Sequence, residues 1–295
     1  MPLVKLTEFH SPTTPEAVIG LLERHHETAV IVAGGTFIHG LVARGLMTDV
    51  EILIDISQVG LNAIEIDEIR MKIGAITTFA QMERTDAIRN TPLFGAIADA
   101  LTYPPVQVKN ASTVGGSIAA SCPFFDFPVS MLSLDAAIEI LGLRGYREVP
   151  LERFNVSLFQ NTLEKEEFVT HVTVPIPTAP TASAFEKIET NANDLAILNA
   201  AARITVMNRV CLDARIFLGG GVGETPVRAP SAEGILTGQS IDDALITHAA
   251  DSARSDVDPI SDHRASAAYR RAMACVLVKR VLKRAMDRIQ AMETG

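Results

Sequence analysis

The apolar positions of this chain follow two rhythms that meet at a run of prolines. Upstream, the unbroken apolar run Ala29-Val30-Ile31-Val32 reads as a short buried strand, and the helix-compatible stretch Phe37 to Arg44 follows it closely. Before it, Thr14-Pro15-Glu16 predicts a helix start, with Thr14 as N-cap and Pro15 at the first helical position. Val18, Leu21 and Leu22 mark that helix's buried face, and it ends near His25 and His26. Strand-like segments follow at Val50 to Ile56, Ala63 to Ile66 and Arg70 to Ile73, the last leading through Gly74 to Thr78 into another helix start. Leu93 to Leu101 reads as a helix that Thr102-Tyr103-Pro104-Pro105 stops. A helical pattern around Val129 to Leu134, a strand at Ala137 to Leu141 and a β-branched run from Phe168 to Val174 complete this half.

Pro175-Ile176-Pro177-Thr178-Ala179-Pro180 interrupts that last run and sets a domain boundary, with residues 1–176 before it and 180–292 after it. Beyond, Ser183 to Ile188, Ala202 to Met207 and Cys211 to Leu218 alternate like three strands of an antiparallel sheet. Ser231 to Leu236, Ile241 to Ser252 and Arg264 to Met292 then read as helices. Strands and helices that alternate predict an α/β first half, and strands followed by helices predict a smaller α+β second unit. No internal repeat or low-complexity tract is present.

Composition narrows the function classes. With 295 residues, 47% hydrophobic and 21% charged, the chain has the make-up of a soluble globular protein with room for two domains. A net charge of -9 argues against a nucleic-acid surface, which needs clustered Lys and Arg. The N-terminal stretch Met1 to Glu8 has no basic region leading into an apolar one, and no segment has the apolar length of a membrane span, so a cytoplasmic location is expected. Cys122, Cys211 and Cys275 are scattered and read as reduced, buried residues, although Cys122 lies beside a glycine motif. They cannot build an iron–sulfur site. The histidines show no metal-ligand spacing: His25 and His26 are adjacent, while His39, His171, His248 and His263 stand alone. Metal chemistry is therefore expected from another chain.

The positive signal is a pair of glycine loops. Ala33-Gly34-Gly35-Thr36 lies between a strand and a helix, the arrangement that presents unpaired helix N–H groups to an anion. The second loop, Thr113-Val114-Gly115-Gly116-Ser117, offers backbone N–H groups and flanking hydroxyls to a phosphate. Together they predict a diphosphate held from both sides. Gly219 to Gly223 lacks a dinucleotide fingerprint and reads as a loop closing the antiparallel sheet.

With both loops placed, the chain resembles the flavin-binding (medium) subunit of the xanthine dehydrogenase and carbon monoxide dehydrogenase family of molybdenum hydroxylases. The resemblance rests on Ile31 to Ile38, Gln107-Val108-Lys109-Asn110, Thr113 to Ser117, Asp126 with Pro128, Phe185 with Lys187, Asp194, Leu218-Gly219-Gly220, and Thr225 to Ala229. It implies an α+β chain: a PCMH-type FAD-binding domain of two α/β subdomains, followed by a small domain with a three-stranded antiparallel sheet and helices. It also implies noncovalent FAD contacted by Ile31, Val32, Ala33, Gly34, Gly35, Thr36, Phe37 and Ile38 in the first loop, and by Thr113, Val114, Gly115, Gly116 and Ser117 in the second. Asp126 is implied to bond the cofactor, Lys187 to lie near the flavin ring, and Tyr103 to pack on it. Apart from the resemblance, Asp126 reads equally as a helix N-cap or turn residue and Lys187 as an exposed lysine; Thr77 and Thr78 are either N-caps or flavin contacts.

The function so implied is an oxidoreductase subunit that passes electrons to an external acceptor from 2Fe-2S clusters on a small subunit, themselves supplied by a molybdenum-pterin large subunit that carries the substrate pocket. A dimer of heterotrimers is the implied assembly. Phe37 stands where the family commonly has a polar residue, Ala120 and Cys122 where His and Asp are frequent, and Phe124 and Phe125 where residues are small. Two alternatives are a free-standing flavin oxidase of the wider vanillyl-alcohol oxidase fold and a nucleotide-binding scaffold without redox chemistry.

Overall fold

Three main sheets follow one another along the chain, each shaped by how its strands are connected. The computed structural model describes residues 3, 5–191 and 194–294; Met1, Pro2 and Val4, within the N-terminal stretch read above for a leader, lie outside the described residues. The first sheet is parallel, with Ile52–Asp55 between Glu8–His10 and Ala29–Val32. Parallel neighbours need crossovers, and the helices Pro15–His25 and Thr36–Ala43 supply them. Thr14 caps the first, accepting the Ala17 N–H at 3.2 Å, and Val18, Leu21 and Leu22 are buried against Ile52 and Ile54.

The second sheet differs from the expected α/β pattern, for it is wholly antiparallel. Its order is Ile64–Ile66, Arg70–Gly74, Phe168–Pro175, Ala137–Gly142, Gly145–Pro150. Helices lie between its strands in sequence, but they are insertions and not parallel crossovers. Phe168–Pro175 enters the centre last, and burial along most of its length explains its almost continuous apolar run.

Past the prolines, Thr181–Ile188, Leu198–Met207 and Val210–Gly219 form the three long antiparallel strands, and Val227–Arg228 adds a fourth of two residues. Asn208 and Arg209, with φ of 52° and 65°, make the tight turn of the central hairpin. The 28-residue helix Ala267–Thr294 packs on this sheet, where Ala182, Ala184, Ala200 and Ala202 provide a shallow buried surface. Among the described residues no helix is long and apolar enough to cross a membrane.

The proline boundary in the chain is not a boundary in the packing. Phe185, Ala201 and Phe217 belong to the same buried cluster as Phe94, Ile97 and Phe127. Asp99 fastens the two sides, accepting from the Phe185 N–H at 3.0 Å and from both terminal nitrogens of Arg288 at 2.9 and 2.7 Å.

Inside the unit beyond the prolines, Arg270 is fully buried and ties distant segments together. Its guanidinium donates to the carbonyls of Ile197 at 3.0 Å and Ile260 at 2.6 Å and forks onto Asp262 at 3.0 and 2.9 Å. Burial tends to raise the Asp262 carboxyl, but the bonds from Arg270 and from the Ala265 and Arg264 N–H groups outweigh it and hold the pKa at about 2. Because this pKa is lowered on folding, the stability it confers is intact above the unfolded value of 3.8 and is lost as pH falls toward about 2. Arg270→Met is expected to cost about 3–5 kcal/mol in urea unfolding, because a carboxylate and the carbonyls of Ile197, Ile260 and Ala265 lose a donor. Arg270→Lys recovers only part, since an ammonium cannot form the fork.

Candidate cofactor cavity

A cavity of about 1030 Å³ lies where all three sheet units meet, lined by the first glycine loop, parts of the second, and Lys187, Asp194 and Arg264 from beyond the prolines. The first loop owes its shape to its glycines. A Cβ on Gly34 would stand 1.7 Å from the Ala111 carbonyl oxygen, so no other residue fits without separating the two segments. Gly35 has a φ of 68°, in the left-handed region, and serves as N-cap of Thr36–Ala43 with no side chain capping the helix. Gly35, Thr36, Phe37 and Ile38 all line the cavity. The opening amides of a helix have no intrahelical acceptor, so this end carries the partial positive charge and donors that suit an anion.

The second loop is built differently from the sequence expectation. Its amides already have protein acceptors: Val114 N–H donates to the Thr77 carbonyl at 2.9 Å, Gly115 to Ala75 at 2.7 Å, Gly116 to the Thr113 hydroxyl at 3.2 Å and Ser117 to the Thr113 carbonyl at 2.9 Å. Its glycine requirement is also internal, because a Cβ on Gly115 would lie 2.5 Å from the Ala75 Cβ. What it presents to the cavity is surface and hydroxyl groups, through Thr113, Gly115, Gly116 and Ser117. The loops are joined directly by Thr36 Oγ1 and Ser112 Oγ, 3.0 Å apart.

Three residues assigned to the cofactor lie elsewhere. Val114 is completely buried in the core, and Thr77 is buried with its carbonyl held by Val114. Val32 does not line the cavity; its carbonyl accepts the Ile56 N–H within the sheet edge. Thr78 takes the N-cap role, forming a capping box with Gln81. Ile31, Ala33 to Ile38, Tyr103, Thr113, Gly115 to Ser117, Asp126 and Lys187 do border the cavity.

Lys187 is buried, contrary to the exposed-lysine alternative. Its ammonium pairs with Asp126 Oδ2 and with Glu189, both at 2.9 Å, donates to the Asp194 carbonyl at 2.8 Å, and lies 4.7 Å from the centre of the Tyr103 ring. Asn199 donates to the other Asp126 oxygen at 2.9 Å. Burial pushes the Asp126 carboxyl above its usual range, against the opposing pull of Lys187 and Asn199. Burial alone would lower Lys187, but its two carboxylates outweigh that and raise it. The ammonium's charge is thus matched by acids of the protein. Asp126 is the first residue of the helix Asp126–Ser133, one position past the N-cap.

Several lining residues gave no sign in the sequence. Phe37 meets Phe125 edge-on at 5.7 Å and stacks with Phe159 at 5.9 Å, so the departures at Phe37 and Phe125 pack against one another. Arg264 lies over Phe124 at 5.6 Å and bonds the Leu195 carbonyl. Ser112 was detectable only as a neighbour of the second loop, and Phe159 and Arg264 carry no periodic or motif signal. Ala120 and Cys122 are buried at the cavity wall; burial pushes the Cys122 thiol up to about 11, which keeps it protonated and unreactive.

Residues 5–177 match the FAD binding domain in molybdopterin dehydrogenase, and residues 183–285 match the CO dehydrogenase flavoprotein C-terminal domain. The chain is 32% identical over 276 residues to the 6-hydroxypseudooxynicotine dehydrogenase complex subunit alpha of Paenarthrobacter nicotinovorans, covering 92% of each. It is 30% identical over 283 residues to the carbon monoxide dehydrogenase medium chain of Afipia carboxidovorans, covering 95% of this chain and 97% of that one. Its fold is similar to a chain of carbon monoxide dehydrogenase from Hydrogenophaga pseudoflava, with a TM-score of 0.90, 29% identity, and coverage of 96% of this chain and 98% of that one. The chain therefore belongs to the family of FAD-binding flavoprotein subunits of molybdopterin dehydrogenases.

Proposed function

We propose that this chain binds FAD noncovalently in the cavity and serves as the electron-transfer subunit of a molybdenum hydroxylase. Residues 1–176 form the cofactor unit and 180–292 the second unit that closes the cavity. The observation that carries the reading is the uncapped helix start at Gly35, locked by Gly34 against Ala111 and opening onto a cavity of about 1030 Å³. That cradle fits a diphosphate: amides at the helix end are unused, and the hydroxyls of Thr36, Ser112 and Thr113 stand beside them. Bound FAD supplies the redox chemistry by which electrons entering from 2Fe-2S clusters leave for an external acceptor.

The chain's own residues position and insulate. Gly35 to Ile38 orient the diphosphate, the second loop sets the cavity wall, and Phe37, Phe125 and Phe159 form an apolar rim beside the helix end. Asp126 and Lys187, tied to each other and to Asn199, fix the far wall and do not add a free cation to it. In this reading the iron–sulfur and molybdenum-pterin groups belong to a small and a large partner subunit, arranged as a dimer of heterotrimers.

Two measurements test the reading. Thr36→Glu places a carboxylate at the first turn of the helix, where it is neutral or favourable for the helix but repels a diphosphate. The expected result is a chain that stays folded without cofactor, losing only the Thr36–Ser112 hydrogen bond, worth about 1 kcal/mol, and FAD binding weakened about a hundredfold or more; retention of stoichiometric, acid-releasable FAD overturns the site. Purification of the chain from its native host is expected to bring down a small iron–sulfur chain and a large molybdenum chain, and recovery of the free chain alone overturns the subunit reading.

A further inference from the structure

The glycine loop depends on a strand and helix whose outer ends carry a feature with no part in the cavity. Glu8 and His10 sit two residues apart on the strand Glu8–His10, so their side chains share one face. His25 is the last residue of the helix Pro15–His25, and the fold brings its ring to 5.8 Å from that of His10. His10 Nε2 and Glu8 Oε2 are 2.8 Å apart. Sequence spacing leaves His25 without a ligand partner, because His10 and His25 lie on separate elements and only their packing joins them.

We propose that Glu8, His10 and His25 form a surface site for a divalent cation of the zinc class. One ligand atom from each residue lies within 4.8 Å of the others. A tetrahedral ion with bonds of about 2.1 Å needs ligand atoms about 3.4 Å apart, which rotation of the imidazoles on fixed backbones reaches. Two imidazole nitrogens and one carboxylate oxygen select zinc, nickel or copper over magnesium or calcium, whose preferred ligands are all oxygen. The fourth position falls to water, since the site is at the surface, with the His10 side chain 32% and the Glu8 side chain 51% exposed.

The ion has a structural task here. Glu8–His10 is an edge strand, paired among the described strands with Ile52–Asp55. Binding fastens it to the end of the helix Pro15–His25, from which the chain turns at His26, with a φ of 42°, into the strand that delivers the first glycine loop. The metal replaces any proton shared between His10 and Glu8, so coordination and that hydrogen bond are alternatives.

The experiment is calorimetric titration of the chelator-treated full chain with Zn²⁺, with Mg²⁺ as a comparison. One equivalent of Zn²⁺ is expected to bind at micromolar concentration, with the His10→Ala/His25→Ala double variant weakened about a hundredfold and Glu8→Gln about tenfold. Zn²⁺ should raise the melting temperature of the wild-type chain and not that of the double variant, and both should hold equal FAD. His26→Ala is expected to bind like the wild type. Equal binding by wild type and double variant, loss of binding in His26→Ala alone, or no Zn²⁺ binding at millimolar concentration each overturns the site. Equal FAD content in the variants keeps this result separate from the cofactor reading.

Discussion

The structure turns on the approach of Gly34 to the Ala111 carbonyl, a contact with no room for even a methyl group. It holds the parallel sheet unit against the antiparallel one at the point where the chain changes from strand to helix. Thr36 and Ser112 bond across the same seam, and the Thr78–Thr113 bridge continues it. The helix end at Gly35 is consequently aimed at a wall supplied by another part of the chain, and a cavity exists because neither unit can turn away. Gly115 acts in the same manner one layer further in, where its bare Cα lets the second loop lie on Ala75.

Electrostatics follows from this packing. The chain as a whole is acidic, with a net charge of -9, so attraction for an anionic cofactor has to be local. The helix start offers amide groups that are fixed before any ligand arrives and need no reorganisation, and Arg44 lines the same cavity. The buried lysine does other work. Lys187 and Asn199, from the sheet beyond the prolines, hold both oxygens of Asp126, so the ion pair joins two units across a wall of the cavity. Lys187 also meets Glu189, so removing it would leave two carboxylates without their cation, Asp126 the more buried of them, which is why the group is better understood as a fastening than as a charge offered to the ligand.

What the sequence revealed was whatever depends on neighbours along the chain. The helix capped by Thr14, the strand before Gly34 and the three long strands after the prolines are legible because capping and alternation are local rules. The glycine loops were legible as special backbone, but only the first keeps its amides free; those of the second are taken by Ala75, Thr77 and Thr113, partners that spacing cannot show. For the same reason Val114 and Thr77 looked like cofactor contacts and lie in the interior. The two-residue strand Val227–Arg228 and the entry of Phe168–Pro175 at the centre of its sheet depend on pairings between distant segments, which hydrophobic period does not encode.

Two of the departures from the family pattern, Phe37 and Phe125, meet in space. Phe37 gives up a polar group at the mouth of the helix, yet its ring meets Phe125 and Phe159, which arrive from different segments. Phe159 is itself 49% exposed, so the three rings shape the mouth of the cavity beside the helix end and do not seal it. Substitutions that look like erosion of a motif in one dimension are therefore matched to each other in three, leaving the backbone at the helix end, which needs no particular side chain, as the part of the site they do not alter.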